Sequence, residues 1–200
     1  MTRQPNGSHF PTISTERLVL RQLDHHDAPA MMALFGDERV LRFLDYPPVD
    51  THQKAVDMID WLNREYEVKC EPQWGISLKD GGALIGMCGL YGWEIRSRHI
   101  DLGYHLLPAE WGRGYATEAA RAMIRWAFEN LDIHRIQADI TEGNIASERV
   151  LIKCGFTVEG VWRESCWEHE RFVNIKQFGL LRREYEAARL AAAHSDAGLS

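Results

Sequence analysis

Residues Tyr104 to Ala119 read YHLLPAEWGRGYATEA: an apolar strand, the triplet Gly112-Arg113-Gly114, and then a helix start. No other stretch limits the possible folds so strongly, because it joins a strand to a helix through a loop shaped for a ligand. Gly112 and Gly114 allow the backbone to turn sharply and to approach a bound group with no Cβ in the way. The helix opening near Ala116 aims its unpaired N–H groups and the positive end of its dipole into the loop. Arg113 adds a full positive charge beside them. A phosphate fits such a place, although a plain glycine turn between strand and helix is spelled the same way.

Periodicity places the remaining elements around this junction. A strand is predicted over Glu16 to Gln22, where Leu18 and Leu20 alternate with Arg17, Val19 and Arg21. Asp24 can cap a helix reaching about Phe35, and Thr51 a second one running to about Val68, with Val56, Ile59, Trp61 and Leu62 in its apolar stripe. Strands near Trp74 to Leu78 and Ala83 to Leu90 flank the turn Lys79-Asp80-Gly81-Gly82. The strand His99 to Leu107 puts Ile100, Leu102, Tyr104 and Leu106 on one face and Asp101, Gly103 and His105 on the other. A helix over Ala116 to Asn130, a strand over His134 to Ile140, a helix over Ile145 to Cys154, and strands over Phe156 to Val161 and Phe172 to Leu181 complete the order β-α-α-β-β-β-α-β-α-β-β. Mostly antiparallel pairing follows, with a right-handed crossover around the central helix.

Composition narrows the function classes. Two hundred residues, 45% of them hydrophobic and 26% charged, suit one globular domain with a proper core. No apolar run approaches the ~18 residues of a membrane span, and the N-terminus has no apolar signal core. The net charge of -6 without a Lys/Arg cluster argues against nucleic-acid binding and tolerates a cationic acceptor. Cys70, Cys88, Cys154 and Cys166 have unrelated spacings, so reduced thiols in a cytoplasmic protein are expected, with neither a disulfide framework nor a zinc site. Nine histidines show neither H-x-x-x-H nor H-E-x-x-H spacing, which predicts no metal. No G-x-S-x-G elbow supports a serine hydrolase. A dinucleotide site fails because Thr117 stands where a third glycine belongs and the loop lies behind hairpins, not in a repeated βαβ set.

A second segment, ADITEGNIASERVLIKCGFTVEG from Ala138 to Gly160, places Asn144 at a helix start with Ser147 three residues on, and Gly155-Phe156 closes that helix. Alone, Asn144 is an N-cap and Ser147 a first-turn polar residue. Together with the opening TERLVLR, the loop WGRGYATEA and the ending GLLRREY, the segment resembles the GNAT acetyltransferase superfamily, specifically its RimJ/RimL-type N-acetyltransferases. The resemblance spans residues 14–186 and leaves 1–13 as a disordered lead-in and 187–200 as a helix end and tail. It implies an α/β GNAT fold, a central mixed, mostly antiparallel sheet flanked by helices on both faces.

The resemblance also implies roles. The loop Gly112, Arg113, Gly114, Tyr115, Ala116 and Thr117 would hold the pyrophosphate of acetyl-CoA, and the backbone of Leu106 and Leu107 would pair with its pantetheine arm. Asn144 would orient the same arm, and Ser147 would give a proton to the departing thiolate. Many relatives carry a tyrosine acid where this chain has Leu151, which moves the role towards Ser147. A loop position often held by Gln or Arg is Trp111. Acidic residues expected in the last hairpin are replaced by Cys166 and Asn174, so the base is open: Asp101 first, Glu164 and Glu168 as alternates, each readable as a solvated carboxylate. His105 is a further possible base, with a structural role the simpler reading. Trp93, Trp162 and Trp167 would border the acceptor site or pack in the core. The implied reaction is direct attack of a primary amine on acetyl-CoA in a ternary complex, without metal. The acceptor is a protein N-terminal α-amine or a small-molecule amine. A non-catalytic CoA-binding sensor is the alternative, and a homodimer is compatible with the resemblance.

Overall fold

The computed structural model describes residues 9–197. The expected lead-in therefore lies largely outside the described residues. Of its last part, Phe10 packs edge-on against Tyr66 at 4.7 Å, and the Trp74 indole donates to the Pro11 carbonyl at 2.7 Å.

One eight-stranded sheet has the order β1-β2-β3-β4-β5-β6-β8-β7. Its strands are β1 (Ile13–Ser14), β2 (Leu18–Arg21), β3 (Gln73–Leu78), β4 (Leu84–Glu94), β5 (His99–Leu106), β6 (Arg135–Thr141), β7 (Thr157–Glu168) and β8 (Arg171–Leu181). The helices are α1 (Ala28–Phe35), α2 (Glu38–Leu41), α3 (His52–Lys69), α4 (Tyr115–Asn130), α5 (Ile145–Lys153) and α6 (Arg182–Ala197). Every neighbouring pair is antiparallel except β5 and β6. Those two are joined through α4, the crossover that parallel strands require.

Two cores lie on opposite faces of the sheet. The larger packs α4 and α5 onto Ile100, Leu102, Leu106, Ile136, Ala138 and Ile140, with Trp74 edge-on to Trp126 at 5.3 Å. The smaller packs α1 and α3 onto Leu84 and Met87. Alternation along each strand decides which side chains meet which core.

Local signals explain most element ends. Thr51 caps α3, its Oγ1 accepting from the Lys54 N–H at 3.2 Å. The buried stripe of α3 is Ala55, Ile59 and Leu62, a spacing of four and three residues. Trp61, expected within that stripe, points outward and is 56% exposed. The helix foreseen from Asp24 is a 3-10 turn at His25–Asp27 leading into α1. The short β1 and α2 carry too few residues for a readable period. The C-terminal segment, expected as a helix end and tail, holds a 16-residue helix, Arg182–Ala197. Arg182 at its start donates to the carbonyls of Phe128, Leu131 and Ile133, which satisfies the open end of α4.

Candidate active site

The parallel register between β5 and β6 runs only from His99↔Arg135 to Asp101↔Gln137. Beyond it β6 stays paired with β8 as far as Thr141, while β5 stays paired with β4 as far as Leu106. The two strands therefore part and leave a cleft between them. In an antiparallel ladder successive residues address opposite neighbours. Leu107 gives its N–H to the Ile85 carbonyl at 2.9 Å and receives the Glu110 N–H at 2.9 Å. Leu106 is thus the residue whose backbone faces the cleft. Its carbonyl accepts from the Trp111 indole N–H at 2.8 Å.

At the mouth of the cleft, Gly112 and Gly114 have φ of 78° and 82°, left-handed values that suit glycine. Gly114 is the N-cap of α4 and supplies no side-chain cap. Among the described residues no protein acceptor takes the N–H groups of Gly112, Arg113, Gly114, Ala116 or Thr117. These open donors form a cradle at the positive end of a 16-residue helix.

Arg17 on the strand flank holds the cradle in shape. Its guanidinium donates to the Arg113 carbonyl at 3.0 Å and to Glu118 at 2.7 Å, and it lies 4.7 Å from the Tyr115 ring centroid. Burial works to raise the Glu118 carboxyl, but Thr15 and Arg17 outweigh it and keep the group below the ordinary carboxylate range. Neither Arg17 nor Glu118 stands out in the sequence, since their pairing joins residues 101 positions apart.

The cap of α5 forms as its sequence foretells. Asn144 Oδ1 accepts the Ser147 N–H at 3.2 Å. The half-buried Ser147 hydroxyl lies 2.8 Å from the Tyr104 hydroxyl, which also donates to the Ser147 carbonyl at 3.1 Å. Burial pushes the Tyr104 phenol well above its ordinary value, so it remains a neutral donor. Leu151 is wholly buried in the larger core.

Asp101 lies on the opposite face of β5 from Tyr104 and Ser147. Tyr91 stands across from it in register, and Gln137 beside it on β6, with Asp139 two residues further along the same face. Burial raises the Asp101 carboxyl above its ordinary value and the negative Asp139 and Glu71 add to this, while Gln137 opposes it. Buried Glu71 accepts the Trp93 N–H at 2.9 Å. Further along this face, Thr141 donates to buried Glu168 at 2.9 Å.

The other acid and base candidates divide. Glu164 is exposed, and its N–H goes to Asn174 Oδ1 at 2.8 Å, while Asn174 donates to Glu142 at 2.8 Å. Asn174 is thus a brace between strands. Cys166 is half-buried, its thiol held up by burial first, then by Glu168 and, across the gap from the α2 segment, Asp45. His105 packs edge-on against Phe35 at 5.5 Å, and burial pushes its imidazole down to about 4. Trp162 and Trp167 lie exposed on the outer hairpin, and Trp93 packs against the larger core. Among the described residues no group of three His, Cys, Asp or Glu is placed to hold a metal ion.

A splayed parallel pair, a helix N-terminus at its mouth and a capped second helix beside it agree with a family match. The acetyltransferase (GNAT) domain model covers residues 17–157. The chain belongs to the GNAT acetyltransferases. This GNAT enzyme is 33% identical over 160 residues to the uncharacterized N-acetyltransferase YoaA of Bacillus subtilis, covering 80% of this chain and 90% of YoaA. Its fold matches RimL, a ribosomal L7/L12 alpha-N-protein acetyltransferase solved with coenzyme A, with a TM-score of 0.78 at 18% identity over 86% of this chain and 98% of RimL. It also matches a spermidine N-acetyltransferase from Vibrio cholerae solved with CoA and spermine, with a TM-score of 0.74 at 19% identity over 86% and 99%. The central mixed sheet with helices on both faces is the GNAT fold, and acetyl-CoA is the co-substrate. The open N–H groups of Gly112 to Thr117 and the absence of a Cβ at both glycines fit a pyrophosphate at that mouth.

Proposed function

We propose that this enzyme acetylates a primary amine, a protein N-terminal α-amine before a small-molecule amine, by direct attack in a ternary complex. One observation carries the reading. The Ser147 hydroxyl, held by Tyr104, and the Asp101 carboxyl stand on opposite faces of the strand that borders the cleft. Acid and base on opposite faces suit a thioester threaded through the cleft and an amine arriving from the side of α1 and α3.

Acetyl-CoA supplies an activated acyl group and a thiolate leaving group. The chain supplies the rest. Arg113, Gly114, Tyr115, Ala116 and Thr117 bind phosphate with Gly112, and Leu106 offers its backbone to the pantetheine arm. Asn144 caps the first turn of α5 and orients the pantetheine arm. Tyr104 holds Ser147 in place, and the Ser147 hydroxyl passes its proton to the departing thiolate sulfur and is reprotonated from solvent. Asp101 takes the ammonium proton, directly or through one water, and its raised affinity for protons favours that role at neutral pH. Asp139 and Glu71 add negative charge that draws a cationic amine to this face.

RimL and the spermidine enzyme bear names for protein and polyamine acceptors, so both acceptor classes stay within reach of this fold. The same reading keeps the cytoplasmic location and the homodimer as expectations. Release of CoA should be followed with N-terminal peptides and with polyamines. Turnover of peptides above polyamines supports the first acceptor. Acetyl-CoA binding without turnover of any amine would leave a CoA sensor in its place.

A further inference from the structure

Away from the cleft mouth, α2 and the turn joining β7 to β8 border a shallow, open concavity of about 640 Å³ lined by Glu38, Arg39, Arg42, His169 and Arg171. Three arginines line it in a chain whose net charge is -6. Arg39 is engaged by Asp37, Nη2 to Oδ2 at 2.6 Å. Arg42 lies 5.2 Å from the Phe43 ring centroid, and neither it nor Arg171 has a carboxylate partner among the described residues. Both are exposed. Glu38 puts one negative charge into the wall.

The concavity is built by the fold and not by one run of sequence. His169 and Glu170 form a two-residue turn with φ of 49° and 62°, left-handed values uncommon outside glycine. A ring nitrogen of His169 meets the Leu41 carbonyl at 3.2 Å, which ties the hairpin tip to the end of α2. Arg171 stands across from Glu168 in register, and Glu168 reaches Thr141 on the same sheet face as Asp101. The basic concavity therefore adjoins the face on which the amine arrives.

We propose that this concavity binds an anionic group, a carboxylate or a phosphate, that the acceptor carries at some distance from its reacting amine. Planar guanidiniums free of carboxylates match such groups bidentately. Acidic side chains around Asp101 draw the ammonium end, and Arg42 with Arg171 draws the anionic end, so a bipolar acceptor is oriented by charge alone. This selectivity rests on the face of Asp101 being the acceptor side.

The test compares amines that differ only in the remote anion. One pair is the peptide Ser-Asp-Asp-Gly amide against Ser-Asn-Asn-Gly amide, and the other is 3-aminopropyl phosphate against 3-aminopropanol. The anionic member of at least one pair should show a kcat/KM on the order of tenfold higher, a preference that added salt weakens. Preference within the first pair identifies an acidic peptide as the source, and within the second a phosphorylated small amine. In the double variant R42S/R171S the preference should vanish, with the neutral member and the acetyl-CoA Kd unchanged. Equal rates within both pairs, or a preference that survives R42S/R171S, overturns the proposal. Backbone amide shifts give a readout independent of turnover. N-acetyl-Asp-Asp amide and inorganic phosphate are titrated in turn, watching residues 38–42 and 169–171. Saturable shifts from either probe, lost in R42S/R171S, keep the concavity even if no amine is acetylated, and the acetylation reading alone then falls. No shifts with either probe overturns it.

Discussion

The Tyr104 hydroxyl stands 2.8 Å from the Ser147 hydroxyl, a contact across 43 residues that links β5 to the first turn of α5. It turns Ser147 from a helix-start polar residue into a hydroxyl held in place from β5, where Tyr104 also donates to the Ser147 carbonyl. Ser147→Ala should lower kcat by ~10²–10⁴ with acetyl-CoA affinity kept, because the Asn144 cap uses only the backbone N–H of residue 147. Tyr104→Phe should cost less, on the order of tenfold, the scale of one lost hydrogen bond. Steady-state kcat and KM of both variants decide the matter. A near-wild-type rate for Ser147→Ala would reduce the residue to part of a cap.

Gly114 adopts φ of 82°, and a Cβ there would stand 3.5 Å from the Arg17 guanidinium. Replacement by valine puts a β-branched residue into a left-handed conformation, which costs roughly 1–2 kcal/mol. The acetyl-CoA Kd, read by calorimetry, should rise at least tenfold while the fold persists. Unchanged affinity would remove the loop from the binding site.

Burial and the neighbouring Asp139 hold the Asp101 carboxyl above its ordinary value. If Asp101 is the base, kcat/KM should fall as pH drops through that raised value, and Asp101→Asn should lose both the rate and this acid limb. Stability follows the opposite sign. The native state binds this proton more tightly than the unfolded chain, so the Asp101 contribution declines as pH rises from the unfolded to the folded pKa. Asp101→Asn should therefore be the more stable protein at neutral pH, with its advantage shrinking in acid, as urea titrations at several pH values would show. An acid limb that survives in Asp101→Asn assigns the base elsewhere.

Leu151 is completely enclosed by the larger core. Leu151→Tyr should thus create no new acid but overpack the site, costing roughly 1–3 kcal/mol in denaturant melts. A gain in turnover would contradict the burial.

Much of this molecule was legible along the chain. The α3 cap at Thr51, the α5 cap at Asn144 and the α4 start after Gly114 depend on residues within one helical turn, and each formed where its spelling places it. The β5 faces followed from alternation, so Asp101 and Tyr104 could be put on opposite sides in advance. Signals spread over few residues were weaker. α2 spans four residues and β1 two, below the length at which a period shows. Trp61 misled because a large aromatic carries apolar weight wherever it points.

The sequence by itself determined the family, the glycine loop, the helix caps and the alternating strands, because these rest on contacts between near neighbours. Tertiary structure decided which residues meet. Tyr104 finds Ser147, Arg17 finds Glu118, and Asp139 joins Asp101 only because β5 and β6 pair and then part. Likewise, Leu106 and not Leu107 faces the cleft, since the β4 ladder already holds the Leu107 N–H. Strand order and register are properties of the whole packed sheet, set by which faces two cores can bury, and no single window of sequence contains them.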